Sequence, residues 1–164
     1  MKLATLGLGE TAVAIAFGVL PVTGAAWLQG AAINTPLILF SIPVSAWVMA
    51  ILLINEVPDI EADAACDKNT LPVRFGLNST ANLYFVIQLL ATVAITVLTA
   101  QGNLPLLAPL VPVGLLALAW KASSGIRGGV EHRETLAKSI EATLGIHTIG
   151  CIWLAGCALF SIWF

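Results

Sequence analysis

Five long apolar segments separated by short polar ones form the main pattern along this chain. A helix needs about 20 mostly apolar residues to cross the hydrocarbon core of a bilayer, and each segment comes near that length. The pattern therefore predicts an all-α integral membrane protein with about five transmembrane helices, folded as a single membrane domain over residues 1–164. The predicted spans are residues 11–28, 36–54, 80–100, 104–120 and 140–164.

Glycines and prolines predict where two of these helices depart from regular geometry. Gly18, Pro21 and Gly24 interrupt the first span, which is therefore expected to be kinked or tightly packed. Three prolines lie between residues 105 and 112, so the N-terminal half of the fourth span is expected to be irregular.

The composition supports the membrane class and excludes others. Hydrophobic residues make up 59% of the chain, charged residues make up 10%, and the mean hydropathy is +0.96. Such a chain is too apolar for a soluble domain of this size. The net charge of −2 argues against a nucleic-acid partner. The three cysteines have neither the spacing of a disulfide framework nor that of a zinc site.

The basic residues predict the orientation in the membrane. With five spans, all seven lysines and arginines fall on the same side, and the loops 29–35 and 101–103 carry none. Positive charge concentrates on the cytoplasmic side of membrane proteins. We therefore expect a multi-pass plasma-membrane protein with its N-terminus and the polar loop 55–79 in the cytoplasm. The basic residues are Lys2, Lys68, Arg74, Lys121, Arg127, Arg133 and Lys138.

The loop 55–79 holds five of the nine acidic residues. Asp59, Asp63 and Asp67 recur every four residues, so on a helix they would share one face. Carboxylates placed so close repel one another, most strongly at the low-dielectric mouth of a membrane protein, so a cation is expected there. Mg²⁺ fits because it binds one or two carboxylates and keeps its other positions for water and phosphate oxygens.

These carboxylates are flanked by groups that can bind a phosphate. Lys68 and Arg74 supply positive charge, and the planar fork of Arg74 matches phosphate oxygens. Asn55 and Glu56 border the cluster and are expected to hydrogen-bond the metal-binding carboxylates. The alternative is that all of these are ordinary solvated loop charges. Their concentration at one helix mouth in a charge-poor chain favours a binding site.

The extended motif in this loop resembles that of a known family. Asn-Glu-x-Pro-Asp-x-Glu-Ala-Asp at residues 55–63, with Lys68, Thr70-Leu71 and Val73-Arg74-x-Gly76, is similar to the second aspartate-rich motif of the UbiA superfamily of membrane prenyltransferases. The similarity is greatest to the branch that prenylates 1,4-dihydroxy-2-naphthoate in menaquinone or phylloquinone synthesis. Gly7-Leu-Gly-Glu10 and the run at residues 17–24 are similar to the family's preceding helix.

This resemblance implies a Mg²⁺-dependent transfer of a polyprenyl group from polyprenyl diphosphate to an aromatic quinone precursor. Asp59 and Asp63 would be the catalytic residues that bind Mg²⁺, with Asp67 as a further candidate ligand. Lys68 and Arg74 would contact the diphosphate. The apolar helices, in the lipid bilayer, would provide a tunnel for the isoprenoid tail.

The resemblance also implies that part of the site lies outside this sequence. Family members have about nine helices and two facing aspartate-rich motifs, the first of the N-x-x-x-D-x-x-x-D kind. That spacing occurs here only at Asn55, Asp59 and Asp63, inside the segment that resembles the second motif, so a separate first motif is missing. The chain is therefore expected to correspond to the C-terminal part of the nine-helix bundle and to need a separate N-terminal half or self-association. Asp67 and Asn69 depart from the family pattern, which usually has glycine and often a second basic residue at these positions.

Two other functions are compatible with the sequence. One is a cation-binding membrane subunit whose carboxylates bind ions at its cytoplasmic entrance. Such a subunit does not require Lys68 and Arg74. The other is a non-catalytic remnant or partner helix bundle, which no sequence feature separates from an enzyme.

Three further features carry open expectations. Glu10 and Glu141 lie at the inner ends of the first and last spans, where an ionisable group is either functional or solvated by interfacial water. The segment from Ser123 to Lys138 is rich in glycine and basic residues. It is expected to be either a mobile lid or a flexible loop near anionic lipid.

Overall fold

The fold is built from helices in the order that the apolar segments predict. A computed structural model describes residues 8–163, with side chains as far as Ser161, so Lys2, Gly7 and Phe164 lie outside the described residues. The elements are α1 (Gly9–Ala14), a π-helical segment (Ile15–Val19), α2 (Leu20–Leu28), α3 (Thr35–Asn55), α4 (Ile60–Ala65), α5 (Leu71–Ala100), α6 (Leu110–Gly128), a 3-10 turn (Gly129–His132) and α7 (Arg133–Trp163).

Within residues 8–163, four stretches are long and apolar enough to cross a membrane. The fourth is 52 residues long and contains both α6 and α7, which pack against each other. The all-α integral membrane class is therefore confirmed, whereas the division into five separate spans remains a prediction. The four stretches are Gly9–Leu28, Thr35–Asn55, Leu71–Ala100 and Leu110–Ser161.

The first span contains the irregularity that its glycines and proline predict. The π-helical segment Ile15–Val19 interrupts it, just before Pro21, which has no N–H to continue the α-helical ladder. Gly18 is buried against α3, where a Cβ atom would overlap the backbone and side chain of Ser45. The absence of a side chain at residue 18 therefore lets the first span lie directly on α3.

The predicted fourth span is wrong in its boundaries. Residues 101–109 form turns and bends, and α6 begins only at Leu110 and continues to Gly128. Pro105 and Pro109 remove backbone donors and disfavour helix before them, whereas Pro112 is tolerated in the first turn of α6.

The segment from Ser123 to Lys138 is neither a lid nor a flexible loop. It consists of the end of α6, the 3-10 turn and the start of α7. Gly129 has a φ of 56° and turns the chain from α6 towards α7. Its backbone passes so close to α5 that a Cβ atom at residue 129 would lie 2.7 Å from Leu77 Cδ1. Both expectations for this segment are wrong, because its residues extend two helices and leave only a tight turn at Gly129 between them.

The core lies between α3, α5, α6 and α7. Trp47 of α3, Tyr84 of α5 and Ile146 of α7 are each at most 2% exposed. The hydroxyl groups of Tyr84 and Thr143 are hydrogen-bonded at 2.7 Å and join α5 to α7. Because the long helices α3 and α5 pack side by side, the acidic connection between them, which contains α4, lies at one end of the bundle.

Candidate functional site

The acidic segment forms a compact connection between α3 and α5. Val57 is 1% exposed and anchors it to the core, while Asn55, Pro58 and Asp59 are exposed. Asp59 occupies the N-cap position of α4, and its carbonyl accepts the N–H of Asp63 at 2.8 Å. Asp59 and Asp63 therefore lie one helical turn apart, as the sequence spacing predicts.

Asp67 does not share that face. The helix α4 is only six residues long and ends at Ala65, and Asp67 adopts a left-handed conformation with φ 55°. The N–H of Lys68 then donates to the carbonyl of Asp63 at 2.9 Å. The prediction of three carboxylates on one helical face is wrong for Asp67 because the chain reverses there, and a metal-ligand role for Asp67 loses its geometric basis.

Lys68 is paired with one of the predicted metal ligands. Its Nζ lies 2.8 Å from Oδ1 of Asp63, whose side chain is 9% exposed, while the side chain of Lys68 is 51% exposed. The hydrogen bond and the charge of Asp63 raise the pKa of Lys68 above its usual value. The ammonium therefore stays charged, neutralises Asp63, and retains two N–H groups that do not face this carboxylate oxygen.

Arg74 lies on a short helical turn at the start of α5. Gly76, with φ 74° and ψ 170°, separates this turn from the long apolar part of the helix. The guanidinium of Arg74 is exposed and lies 5.3 Å from the ring centroid of Phe75. Arg74 and Lys68 thus both flank α4 at the same end of the bundle, with their charged groups open to solvent.

Sequence reasoning missed a carboxyl pair below the acidic segment. Glu10 is 1% exposed, and its Oε1 accepts the backbone N–H of Leu71 at 2.6 Å. Its carboxyl group also lies close enough to that of Glu56 to raise the pKa of Glu56. Interfacial solvation, one of the two expectations for Glu10, is therefore wrong, whereas Glu141 is exposed. The cost of an acid in a membrane helix singled out Glu10, but nothing in the sequence indicated its partner.

Burial determines the protonation of Glu56. Burial, followed by the proximity of Glu10 and Asp63, raises the pKa of Glu56 to about 8, and Lys68 partly opposes the effect. At neutral pH, Glu56 is thus mostly protonated. Glu56 was predicted to hydrogen-bond metal-binding carboxylates, and its Oε2 has no hydrogen-bond partner among the described residues.

The donor set limits how a metal ion could bind. No group of three or more His, Cys, Asp or Glu side chains in the described part of the chain is arranged to hold a metal ion. Asp59 and Asp63 are hard oxygen donors one turn apart, which suits a cation that takes one or two carboxylates from the protein. Its remaining ligands would have to come from water, substrate or another chain.

Comparisons with known proteins agree with the resemblance of the acidic motif. The 1,4-dihydroxy-2-naphthoate octaprenyltransferase of Mycobacterium tuberculosis is 33% identical over 132 residues, which is 79% of this chain and 43% of that protein. The protein of the same name from Mycobacterium leprae is 32% identical over 125 residues, or 75% of this chain and 40% of that protein.

A third relative matches a shorter region more closely. The 1,4-dihydroxy-2-naphthoate octaprenyltransferase of Haemophilus influenzae is 44% identical over 71 residues, which is 43% of this chain and 23% of that protein. The chain thus spans less than half the length of these curated relatives. No solved structure matches. The profile of the UbiA prenyltransferase family matches residues 1–134, which include the whole acidic segment, and the chain therefore belongs to that family.

Proposed function

We propose that this chain forms one wall of an enzyme that transfers a polyprenyl group from a polyprenyl diphosphate to an aromatic acceptor. The acceptor we propose is 1,4-dihydroxy-2-naphthoate, in quinone biosynthesis, because the curated relatives carry that name. The observation that carries the proposal is the Asp63–Lys68 ion pair beside Asp59 on α4, with Arg74 exposed on the first turn of α5 that follows, at one end of an apolar bundle.

Prenyltransferases of this family generally use a divalent metal, and the residues present fit Mg²⁺. Asp59 and Asp63 would hold it, since they are oxygen donors one helical turn apart and one of them is exposed. When bound, Mg²⁺ would neutralise the diphosphate and stabilise it as a leaving group.

The chain's own residues have three tasks in this proposal. Lys68 keeps Asp63 ionised and oriented, and its free N–H groups meet a diphosphate oxygen. Arg74 presents its guanidinium fork to the same group. The apolar helices exclude water from the allylic cation that forms when the diphosphate leaves, so the aromatic ring rather than water attacks it.

A second wall completes the site. The diphosphate carries several negative charges, and preorganised groups on more than one side stabilise them best. We infer that a separate N-terminal half with the first aspartate-rich motif, or a second copy of this chain, supplies that wall. We further propose that the site faces the cytoplasm from the plasma membrane, because the basic side chains fall on that side.

Binding of a non-hydrolysable geranylgeranyl diphosphate analogue with Mg²⁺ tests the site. We expect Asp59→Asn and Asp63→Asn each to weaken binding at least about tenfold, since each removes a charged ligand, and the double variant to abolish it. Glu61→Gln is the matched control, because Glu61 is an exposed acid on the same helix α4. A double variant that binds as tightly as the parent would refute the assignment.

An assay of prenyl transfer tests whether the site needs a second wall. The chain is purified in detergent and assayed for transfer from geranylgeranyl diphosphate to 1,4-dihydroxy-2-naphthoate, with and without a co-expressed four-helix half carrying the first motif. We expect activity only with that half or in a self-associated form. Full turnover by a demonstrably monomeric chain would show that no second wall is needed.

A further inference from the structure

The first turn of α5 is held by a residue from a distant helix. Helices begin with backbone N–H groups that have no partner inside the helix, and a side chain just before the helix often accepts one of them. Thr70 is at the N-cap position, but its hydroxyl makes no such bond and finds no partner among the described residues. The carboxylate of Glu10, from α1, accepts the N–H of Leu71 instead.

This contact joins the first span to the start of α5. Glu10 is 1% exposed, so water does not compete for the Leu71 N–H. The first turn of α5 therefore depends on where Glu10 lies.

The turn that begins at Leu71 carries a residue proposed to bind the diphosphate. Arg74 donates its backbone N–H to the carbonyl of Thr70 at 3.0 Å, so the position of Arg74 follows from that of the capped first turn. Lys68 lies three residues before Leu71 and is fixed on its other side by Asp63. Gly76 separates this turn from the rest of α5, so the long helix alone does not hold it in place.

We propose that Glu10 is a positioning residue of the prenyl-transfer site: it holds the Leu71 N–H, so that Lys68 and Arg74 meet the diphosphate together. This inference rests on the proposed function and adds one residue to it. Glu10 acts through the backbone of the segment from Lys68 to Arg74.

Three variants test the proposal through the dissociation constant of the geranylgeranyl diphosphate analogue with Mg²⁺. We expect Glu10→Ala to weaken binding about tenfold or more, because the bond that caps α5 is lost. We expect Glu10→Gln, whose amide oxygen can still accept the Leu71 N–H, to bind within about threefold of the parent. Glu141→Gln is the control, because Glu141 is an exposed acid on α7.

Rescue by a conservative variant provides a readout that a purely structural role would not change. Glu10→Met fills a similar space without an acceptor and should bind as weakly as Glu10→Ala, whereas Glu10→Gln should recover binding. A Glu10→Ala variant that binds within twofold of the parent overturns the inference. If Glu10→Ala does not fold, the comparison of Glu10→Gln with Glu10→Met decides, and equal binding by these two overturns the inference.

Amide hydrogen exchange separates this inference from the proposed function. If the parent binds no diphosphate analogue at all, the proposed function fails. The positioning inference then depends on the Leu71 amide, which should exchange at least about tenfold faster in Glu10→Ala than in Glu141→Gln as its capping bond is lost. Equal exchange in the two variants would overturn the positioning role.

Discussion

Replacing Gly18 with alanine should separate the first span from α3. A Cβ atom at residue 18 would lie 2.6 Å from Ser45 Cβ and would also overlap the Cα atom and hydroxyl of Ser45. Carbon atoms pack best at about 3.5–4.0 Å, so the two helices would have to move apart by about 1 Å. Rotation of the Ser45 side chain cannot relieve the clash, because a backbone atom is involved.

The size of the effect follows from two opposing terms. Overpacking of a tight contact costs about 1–3 kcal/mol, and alanine gains up to about 1 kcal/mol over glycine in a helix. We therefore expect Gly18→Ala to lower the free energy of unfolding by about 1–2 kcal/mol. Gly24→Ala is the matched control on the same span, because no atom lies within 4 Å of a Cβ there. It should leave stability unchanged or raise it by up to about 1 kcal/mol.

Reversible unfolding in mixed detergent micelles, followed by tryptophan fluorescence, would measure both variants. Because Glu10 lies on the same continuous span, Gly18→Ala should also weaken binding of the diphosphate analogue, whereas Gly24→Ala should not. Equal stabilities for Gly18→Ala and Gly24→Ala would show that the first span does not rest on α3 as described. Ser45→Gly in the Gly18→Ala background should restore part of the stability, because Ser45 Cα still overlaps the new methyl group.

Two further predictions concern protonation and orientation. Folding raises the pKa of Glu56 from 4.5 to about 8, so the folded state binds this proton more tightly than the unfolded state does. The free energy of unfolding should therefore be greatest below pH 4.5 and fall as the pH rises to about 8. The unfolding of Glu56→Gln should lack this pH dependence. A cysteine at Ser79, in a variant without the native cysteines, should react with an impermeant thiol reagent from the cytoplasmic side; labelling only from outside would reverse the orientation.

The sequence predicts the class of this fold better than its local geometry. Long apolar segments suffice for an all-helical membrane bundle, because a bilayer leaves few other ways to satisfy the backbone. The four-residue spacing correctly places Asp59 and Asp63 one turn apart, but it cannot show that α4 ends before Asp67. The helix ends because residue 67 adopts a left-handed conformation. A glycine at this position would have predicted such a conformation, whereas an aspartate does not.

The carboxyl pair was beyond prediction for a different reason. Each acid is visible in the sequence, but their contact depends on how the first span lies on α3, and that packing depends on Gly18 against Ser45. A one-dimensional pattern identifies a costly residue such as Glu10 without identifying what compensates it. The same limit applies to Lys68, whose pairing with Asp63 needs the chain reversal after α4.

The break at Gly76 bears on how the protein adapts to its membrane. As a single rod, the 30 residues of α5 would be about 45 Å long, well over the thickness of a hydrocarbon core of about 30 Å. Beyond the break, the part from Leu77 to Ala100 is about 36 Å long and can match bilayers of different thickness by tilting. The turn from Leu71 to Phe75 need not tilt with it, so lipid composition can change the inclination of α5 while Arg74 keeps its place at the interface.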